Sequence, residues 1–258
     1  MTSLLGLAAA GVFLYMTAAF AFALLRKDNS VADIFWGPGF GLVAVLTAVA
    51  AEAWSPRQIL VNLLVLIWGT RLALHIALRN RKRGEDFRYA KWRREWGRLF
   101  IPRTYLQVFL LQGVFLLIIS LPVIVVNHRG AGNFTAIDLA ACGLWAIGFL
   151  FEAVGDYQLL RFKRNPENKG RIMTQGLWSI TRHPNYFGEA VMWWAIFLFA
   201  VQAPNGWISA AGPALITFLL MRVSGVVMLE KKYTGNPEYE AYVKSVNAFF
   251  PGFRRNSE

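Results

Sequence analysis

Seven long apolar stretches constrain the fold of this chain more than any other feature. They lie at about residues 3–25, 33–53, 58–79, 104–127, 135–162, 185–203 and 206–230. A helix needs about 20 mostly apolar residues to cross the hydrocarbon layer of a bilayer, so each stretch is long enough to span a membrane. Lipid-exposed backbone must form its hydrogen bonds internally, and no stretch alternates with the two-residue period of a barrel strand. The sequence therefore predicts an all-α integral membrane protein, a bundle of seven transmembrane helices.

The Lys and Arg residues between these stretches fall almost entirely on one side of the predicted membrane. With the N-terminus outside, the segments facing the cytoplasm carry 23 of them, ten between Arg79 and Arg103, and the opposite segments carry only Arg57 and Arg129. Short loops rich in Lys and Arg stay in the cytoplasm, so the sequence predicts an N-out, C-in orientation. We expect a multi-pass protein of the bacterial inner membrane or an equivalent membrane.

The amino-acid composition limits the kinds of partner and cofactor that the chain can bind. A chain of 258 residues with 56% hydrophobic residues is long enough for one membrane domain. Orientation and contact with membrane lipids account for the net charge of +12, so we expect no nucleic-acid partner. The single cysteine, Cys142, excludes a disulfide framework, and His75, His128 and His183 lie too far apart in sequence for metal-ligand spacing. We expect a monomer without a metal.

Several polar side chains lie within the apolar stretches, where ionisable groups are costly and usually face the bundle interior. Each one alone could hold two helices together or cap a helix. Taken together, such groups predict a polar cavity open to the cytoplasm. Those that share this position inside or at the edge of a span are Asp33, Trp68, Arg71, His75, Glu152, Asp156, Lys163 and Arg222.

The densest motif is NKGRIMTQGLWSITRHPNYFGE at residues 168–189. The residue before a proline avoids the helical region and proline suits the first turn of a helix, so His183 and Pro184 predict a helix start. The free N–H groups of that start, beside Arg171 and His183, are typical of a phosphate site. A simpler alternative is that the cations only set orientation and that Glu189 only complements the helix dipole.

At this motif, and from about residue 148 to the C-terminus, the chain resembles the steroid 5α-reductase family in its bacterial membrane-reductase branch. The resemblance implies that residues 128–258 enclose NADPH and that residues 1–127 form the wall of a lipophilic substrate pocket. With His183 from the motif, the implied cofactor-binding residues are Arg71, Glu152, Asp156, Lys163, Arg171, His183, Asn185, Glu189 and Arg222.

The chain departs from the family pattern in three places. Trp68 stands where steroid reductases carry a catalytic tyrosine in the third span, and Asp33 is the best match for the glutamate paired with that tyrosine. The histidine expected about one turn after Arg222 is Val226. These departures concern the proton donor and the steroid assignment more than the cofactor site.

The reaction that the resemblance implies is hydride transfer from NADPH to the β-carbon of an α,β-unsaturated ketone, a 3-oxo-4-ene steroid or another enone lipid. An aspartic acid in an apolar site can remain protonated and donate a hydrogen bond, so Asp33 is the first candidate donor, with Tyr89 and Tyr186 in reserve. The substrate is a lipophilic small molecule that enters from the bilayer. The aromatic residues expected to line its pocket, unless they only pack helices, are Phe35, Trp36, Phe40 and Trp68.

Within the cofactor site, Asp156, Asn185 and Glu189 are expected around the nicotinamide amide and ribose. The cations are expected on the phosphates, since Arg and Lys match phosphate oxygens. There is no G-x-G-x-x-G motif after a strand, so the site is not of the Rossmann type.

Two other classes of function stay open. The Arg-His-Pro-x-Tyr-x-Gly run is also similar to isoprenylcysteine carboxyl methyltransferases and phospholipid methyltransferases, which bind S-adenosylmethionine at an equivalent place. A methyltransferase of a lipid or isoprenyl substrate is therefore the alternative, although a donor without phosphates has less need of the many cations. A transporter predicts symmetry between halves or broken helices near the midplane, and neither is clear in the sequence.

Overall fold

The computed structural model describes residues 1–81, 84–130, 132–223, 225–231 and 233–253. The structure is 80% helix, and the described residues contain no strand, which confirms the all-α prediction. Five of the cations that support the predicted orientation lie outside the described residues: Lys82, Arg83, Lys232, Arg254 and Arg255.

Among the described residues, six helices are long and apolar enough to cross a membrane. They are Thr2–Arg26, Val31–Ala50, Pro56–Asn80, Arg88–Ile119, Ala136–Arg164 and Gly206–Lys231. The chain is therefore a multi-pass membrane protein. The remaining predicted span, 185–203, corresponds to the helix Pro184–Ala200, which has 17 residues. Seven spans and the N-out orientation stay predictions.

The chain folds as two compact units. The first unit comprises Met1–Asp138 and Phe197–Gly212, and the second comprises Leu139–Ile196 and Pro213–Glu258. A single domain divided into residues 1–127 and 128–258 stays a prediction.

Helices of the first unit follow the predicted apolar stretches, with one interrupted span. The first four are α1 (Thr2–Arg26), α2 (Val31–Ala50), α3 (Pro56–Asn80) and α4 (Phe87–Trp96). The interrupted span comprises α5 (Phe100–Thr104), a π-helical turn (Tyr105–Leu110), α6 (Leu111–Ile119) and α7 (Leu121–Arg129). A capping box formed by Ser55 and Gln58, together with Pro56 in the first turn, fixes the start of α3.

Close packing of α2 against α3 organises the interior of the first unit. A Cβ atom added to Gly37 would lie 2.4 Å from the carbonyl oxygen of Gly69, so the two backbones touch. Beside this crossing, the rings of Phe40 and Trp68 meet edge to face with centroids 5.4 Å apart. Both side chains are buried. Small residues at such a crossing are typical of helix packing in membranes.

A buried ion pair in the same unit was not expected from the sequence. Arg57, which the charge pattern places among the external loop cations, donates from Nε and Nη2 to the two carboxylate oxygens of Asp138, both at 2.8 Å. Asp138 also accepts a hydrogen bond from the amide of Gln202 at 2.9 Å. Arg57 is only 5% exposed. The pair therefore ties the start of α3 to residues distant in sequence.

The second unit contains most of α8 (Ala136–Arg164) and α9 (Pro184–Ala200), followed by α10 (Ala211–Phe218), α11 (Val226–Lys231) and α12 (Pro237–Ser245). A π-helical turn, Leu219–Val223, follows α10. The loop between α8 and α9 binds the C-terminal segment: the N–H of Arg182 donates to the carbonyl of Asn247 at 2.9 Å, and the hydroxyl of Tyr242 donates to the carbonyl of Trp178. The loop with the densest motif is thus fixed by the last helix.

Candidate functional site

The crossing of α8 and α9 brings the polar residues of the second unit together. A Cβ atom at Gly188 would lie 2.4 Å from the carbonyl oxygen of Gly148 and 2.6 Å from the backbone nitrogen of Glu152. Only glycine permits this distance, because real Cβ atoms almost never approach another heavy atom below 3.0 Å. Two turns further along α8, a Cβ atom at Gly155 would lie 3.1 Å from Pro184 Cγ and 3.4 Å from the backbone nitrogen of Asn185, so the start of α9 also packs against α8.

Four predicted cofactor residues lie at this crossing, and we call them the carboxylate cluster: Glu152 and Asp156 on α8, Asn185 and Glu189 on α9. Glu152, Asp156 and Glu189 are 2%, 7% and 8% exposed. The side-chain amide of Asn185 donates to Asp156 Oδ1 at 3.1 Å. Its Oδ1 is buried and accepts no hydrogen bond from any described residue. Buried polar atoms are usually paired, so this oxygen is suited to an incoming N–H donor.

The predicted phosphate ligands are more dispersed. Lys163 lies two turns beyond Asp156 on α8 and is exposed, as is Arg171 in the following loop. Arg222 lies in the π-helical turn Leu219–Val223, a geometry common at functional sites that the sequence did not reveal. Arg71 lies on α3 and belongs to the first unit.

His183 and Tyr186 take part in a separate arrangement near the C-terminal segment. His183 Nε2 lies 3.2 Å from Glu230 Oε1, and the ring of Tyr186 stacks on the imidazole with centroids 5.4 Å apart. Arg182 Nη2 approaches the same carboxylate oxygen at 2.8 Å. Glu230 was absent from the sequence prediction because no local pattern marks the partner of a residue 48 positions earlier. A phosphate contact for His183 stays a prediction.

The first unit places two of the predicted catalytic residues side by side. The hydroxyl of Tyr89 donates to Asp33 Oδ1 at 3.1 Å, and Arg88 Nη2 donates to Asp33 Oδ2 at 2.5 Å. Tyr89 is 2% exposed. Asp33 thus accepts hydrogen bonds on both oxygens, and the identity of the proton donor stays a prediction. We call Asp33, Arg88 and Tyr89 the donor group.

The turn before α4 supports the donor group with two further carboxylates. Burial alone would raise the pKa of Asp86, but hydrogen bonds from Arg88 lower its pKa below the usual value. Burial alone would also raise the pKa of Glu85, but hydrogen bonds from Arg93 and Asn29 lower it below the usual value. Asn29 is 2% exposed, and its Oδ1 accepts no hydrogen bond from a described residue. Like Asn185 Oδ1, this oxygen is a buried acceptor without a described donor, and no sequence pattern predicts it.

The predicted substrate-pocket aromatics lie in the same unit. Trp36 meets Phe40 edge to face with centroids 5.0 Å apart, and Phe40 meets Trp68 in the same way. Phe35 is partly exposed, and its carbonyl accepts a hydrogen bond from Tyr15 at 2.8 Å. Phe40 and Trp68 form part of the buried interior, which agrees with the packing alternative, whereas Phe35 and Trp36 retain exposed surface.

An open cleft of about 460 Å³ lies in the second unit, near the C-terminal helix. Glu230 and Tyr239 line it, but none of the predicted cofactor residues does. The buried polar side chains predicted to bind the cofactor lie in the carboxylate cluster and not in the cleft.

No solved structure matches this chain significantly. An uncharacterized protein of Schizosaccharomyces pombe is 23% identical over 254 residues, which cover 87% of this chain and 73% of that protein. A probable O-methyltransferase of Ustilaginoidea virens is 39% identical over 62 residues, about 23% of this chain and 22% of that protein. The model of a family described as a protein of unknown function, DUF1295, matches residues 19–246. The chain therefore belongs to the DUF1295 family.

Proposed function

We propose that this protein is a membrane-embedded, NADPH-dependent reductase that saturates the C=C bond of a lipophilic α,β-unsaturated ketone. The resemblance of the chain from about residue 148 onwards to the steroid 5α-reductase family supports this class of reaction. The observation that carries the proposal is the donor group, in which Tyr89 is held 3.1 Å from Asp33. A 3-oxo-4-ene steroid is one substrate of this class, and other enone lipids are equally suited.

The donor group supplies what reduction of an enone requires at the carbonyl end. Negative charge develops on the ketone oxygen as the β-carbon accepts a hydride, and a hydrogen-bond donor at that oxygen stabilises it. Tyr89 is the proposed donor, and its hydroxyl turns from Asp33 to the substrate oxygen. Arg88 holds Asp33 in place, and Asp33 in turn positions the tyrosine hydroxyl. A proton from solvent then adds to the α-carbon and completes the saturated ketone.

The carboxylate cluster fits the nucleotide that this reaction needs. NADPH, when bound, supplies the hydride. In this proposal the buried Oδ1 of Asn185 accepts an N–H of the nicotinamide carboxamide, and Asp156 and Glu189 accept hydrogen bonds from ribose hydroxyls. Lys163 and Arg171 are exposed in the same unit, and Lys and Arg side chains suit phosphate oxygens. These five residues define the proposed cofactor site of the second unit.

A second candidate is an S-adenosylmethionine-dependent methyltransferase of a lipid. Two observations favour it: the 62-residue similarity to a probable O-methyltransferase, and the burial of three carboxylates within one cluster. A sulfonium and an α-amino group are cationic, and buried carboxylates suit them. The donor group argues for reduction instead, because an enone needs a hydrogen-bond donor at its carbonyl oxygen.

Ligand-induced thermal stabilisation of the detergent-purified protein distinguishes the two candidates. A ligand that binds the folded state raises the melting temperature by mass action, by an amount set by its concentration and dissociation constant. We expect NADPH to stabilise the protein and S-adenosylmethionine to leave it unchanged. Glu189→Gln should weaken the NADPH response, whereas Glu167→Gln should keep it, because Glu167 is exposed on the loop after α8. Stabilisation by S-adenosylmethionine alone would replace the reductase by the methyltransferase.

A further inference from the structure

The C-terminal part of α4 and the residues that follow it form a basic, aromatic surface that contains none of the donor group. We call residues 91–103 the interfacial segment. Its sequence, KWRREWGRLFIPR, carries five cations and one carboxylate. Arg94, Arg98 and Arg103 are exposed. A surface of this composition needs an explanation separate from catalysis.

The backbone changes direction within this segment. Gly97 has φ 49° and ψ −122°, a combination that favours glycine and changes the direction of the chain after α4. Helix α4 has ten residues and is about 15 Å long, half of what a hydrocarbon layer requires. Helix α4 alone is therefore too short to cross the membrane, and the segment lies at the N-terminal end of the candidate span Arg88–Ile119, before the apolar stretch at about 104–127.

Aromatic rings pack against one another within the segment and are of the type found at the depth of lipid headgroups. Trp92 and Trp96 stack nearly parallel with centroids 5.2 Å apart, and the guanidinium of Arg103 lies 5.9 Å from the ring centroid of Trp96. Tryptophan is enriched at the interface between membrane and water. Leu99 and Ile101 are 53% and 54% exposed, so apolar side chains accompany the cations. This combination is typical of segments that lie in a membrane interface.

Two of the five cations are neutralised within the protein. Lys91 lies 3.6 Å from Glu95, and Arg93 donates to both oxygens of Glu85 at 2.7 and 3.0 Å. Glu95 is the carboxylate of the segment itself. The remaining three arginines have a combined charge of +3 and lie beside exposed apolar residues.

We propose that Arg94, Arg98 and Arg103 of the interfacial segment form a binding surface for the phosphodiester headgroups of anionic phospholipids. The positive charge of the three arginines complements the negative charge of the phosphodiester. The exposed apolar side chains Leu99 and Ile101 favour contact with acyl chains over water. Each Arg near an anionic membrane surface increases lipid affinity by about fivefold, and the effect falls with ionic strength. The surface acts as a lipid anchor beside the donor group and takes no part in hydride transfer.

The test uses the full-length protein in nanodiscs of phosphatidylcholine with increasing phosphatidylglycerol. Tightly bound lipids are counted by native mass spectrometry after release from the disc. We expect enrichment of phosphatidylglycerol over phosphatidylcholine in the unchanged protein. The triple variant Arg94→Gln, Arg98→Gln, Arg103→Gln should lose most of that enrichment, by about fivefold or more.

A matched variant removes the same charge elsewhere: Arg161→Gln, Arg164→Gln, Lys169→Gln, all exposed positions of the second unit. We expect it to retain the enrichment at the interfacial segment. Equal loss in both triple variants would overturn the proposal, because it would show a response to net charge alone. Displacement of the bound lipid by millimolar inorganic phosphate would also overturn it, because it would show a phosphate site that needs no acyl layer. The melting temperature of each variant shows that it is folded.

Discussion

The change Gly188→Ala tests the helix crossing on which the carboxylate cluster depends. The added Cβ would meet backbone atoms of α8 at 2.4 and 2.6 Å, where ordinary contacts begin at 3.4 Å. Backbone atoms cannot rotate away as a side chain can, so α8 and α9 must separate by about 1 Å. Overpacking of a tight interface costs about 1–3 kcal/mol. At about 2–4 °C per kcal/mol for a domain of this size, the steric effect should place the melting temperature about 2–12 °C below that of a helix variant with the same Gly→Ala change and no clash.

Separation of the helices should also weaken ligand binding. The hydrogen bond from Asn185 to Asp156 has a length of 3.1 Å, and an increase of 1 Å removes it. A misplacement of about 1 Å can cost about 100-fold in rate. We therefore expect Gly188→Ala to lose the stabilisation by NADPH at concentrations that stabilise the unchanged protein.

Gly143→Ala is the control for this experiment. Gly143 lies on α8, and a Cβ atom added there meets nothing within 4 Å. Both variants gain the same helix propensity, about 1 kcal/mol, so their difference isolates the steric effect. We expect Gly143→Ala to melt at or above the temperature of the unchanged protein and to keep its NADPH response. If Gly188→Ala behaves as Gly143→Ala does in both measurements, the close crossing of α8 and α9 is refuted.

Three further predictions concern the first unit. Tyr89→Phe should reduce enone turnover by about 100-fold or more while leaving NADPH stabilisation unchanged, measured by product formation and thermal shift; equal turnover would exclude Tyr89 as donor. Arg57→Ala should lower the free energy of unfolding by about 3–5 kcal/mol, because it leaves the Asp138 carboxylate buried without its partner. Adding Asp138→Leu should restore part of this stability, as measured by thermal unfolding. The pKa of Glu85 is lowered in the folded state, so its carboxylate stabilises the fold above its ordinary pKa of 4.5. This stabilisation is lost as the pH falls through the lower folded-state pKa. The difference in stability between the unchanged protein and Glu85→Gln should therefore vanish in acid.

The sequence predicts the long helices well because their signal is continuous. The stretch at about 3–25 is the helix Thr2–Arg26, and the stretch at about 135–162 is Ala136–Arg164. The stretch at about 104–127 differs, since a π-helical turn and Pro122 divide it. A hydropathy pattern reports the lipid environment of a segment and not the continuity of its hydrogen-bond ladder, so this interruption was not foreseen.

The candidate site was predictable only where the residues share a helix face. Glu152 and Asp156, or Asn185 and Glu189, are each four residues apart, and helical geometry places each pair on one face. Their meeting across two helices depends on the crossing at Gly188, which no local pattern marks. The partners Arg88 and Glu230 were missed for the same reason, because a carboxylate or guanidinium distant in sequence has no periodicity to identify it.

The most direct test of the reductase proposal is transfer of deuterium from NADPH that carries the label at C4 of the nicotinamide. The purified protein is incubated with this cofactor and a 3-oxo-4-ene steroid, or a panel of other enone lipids, and the product is examined by mass spectrometry. The proposal predicts a saturated ketone with one deuterium at the β-carbon, strongly reduced in Tyr89→Phe. If no enone is reduced while methyl transfer from S-adenosylmethionine to a lipid proceeds, the reductase proposal is contradicted.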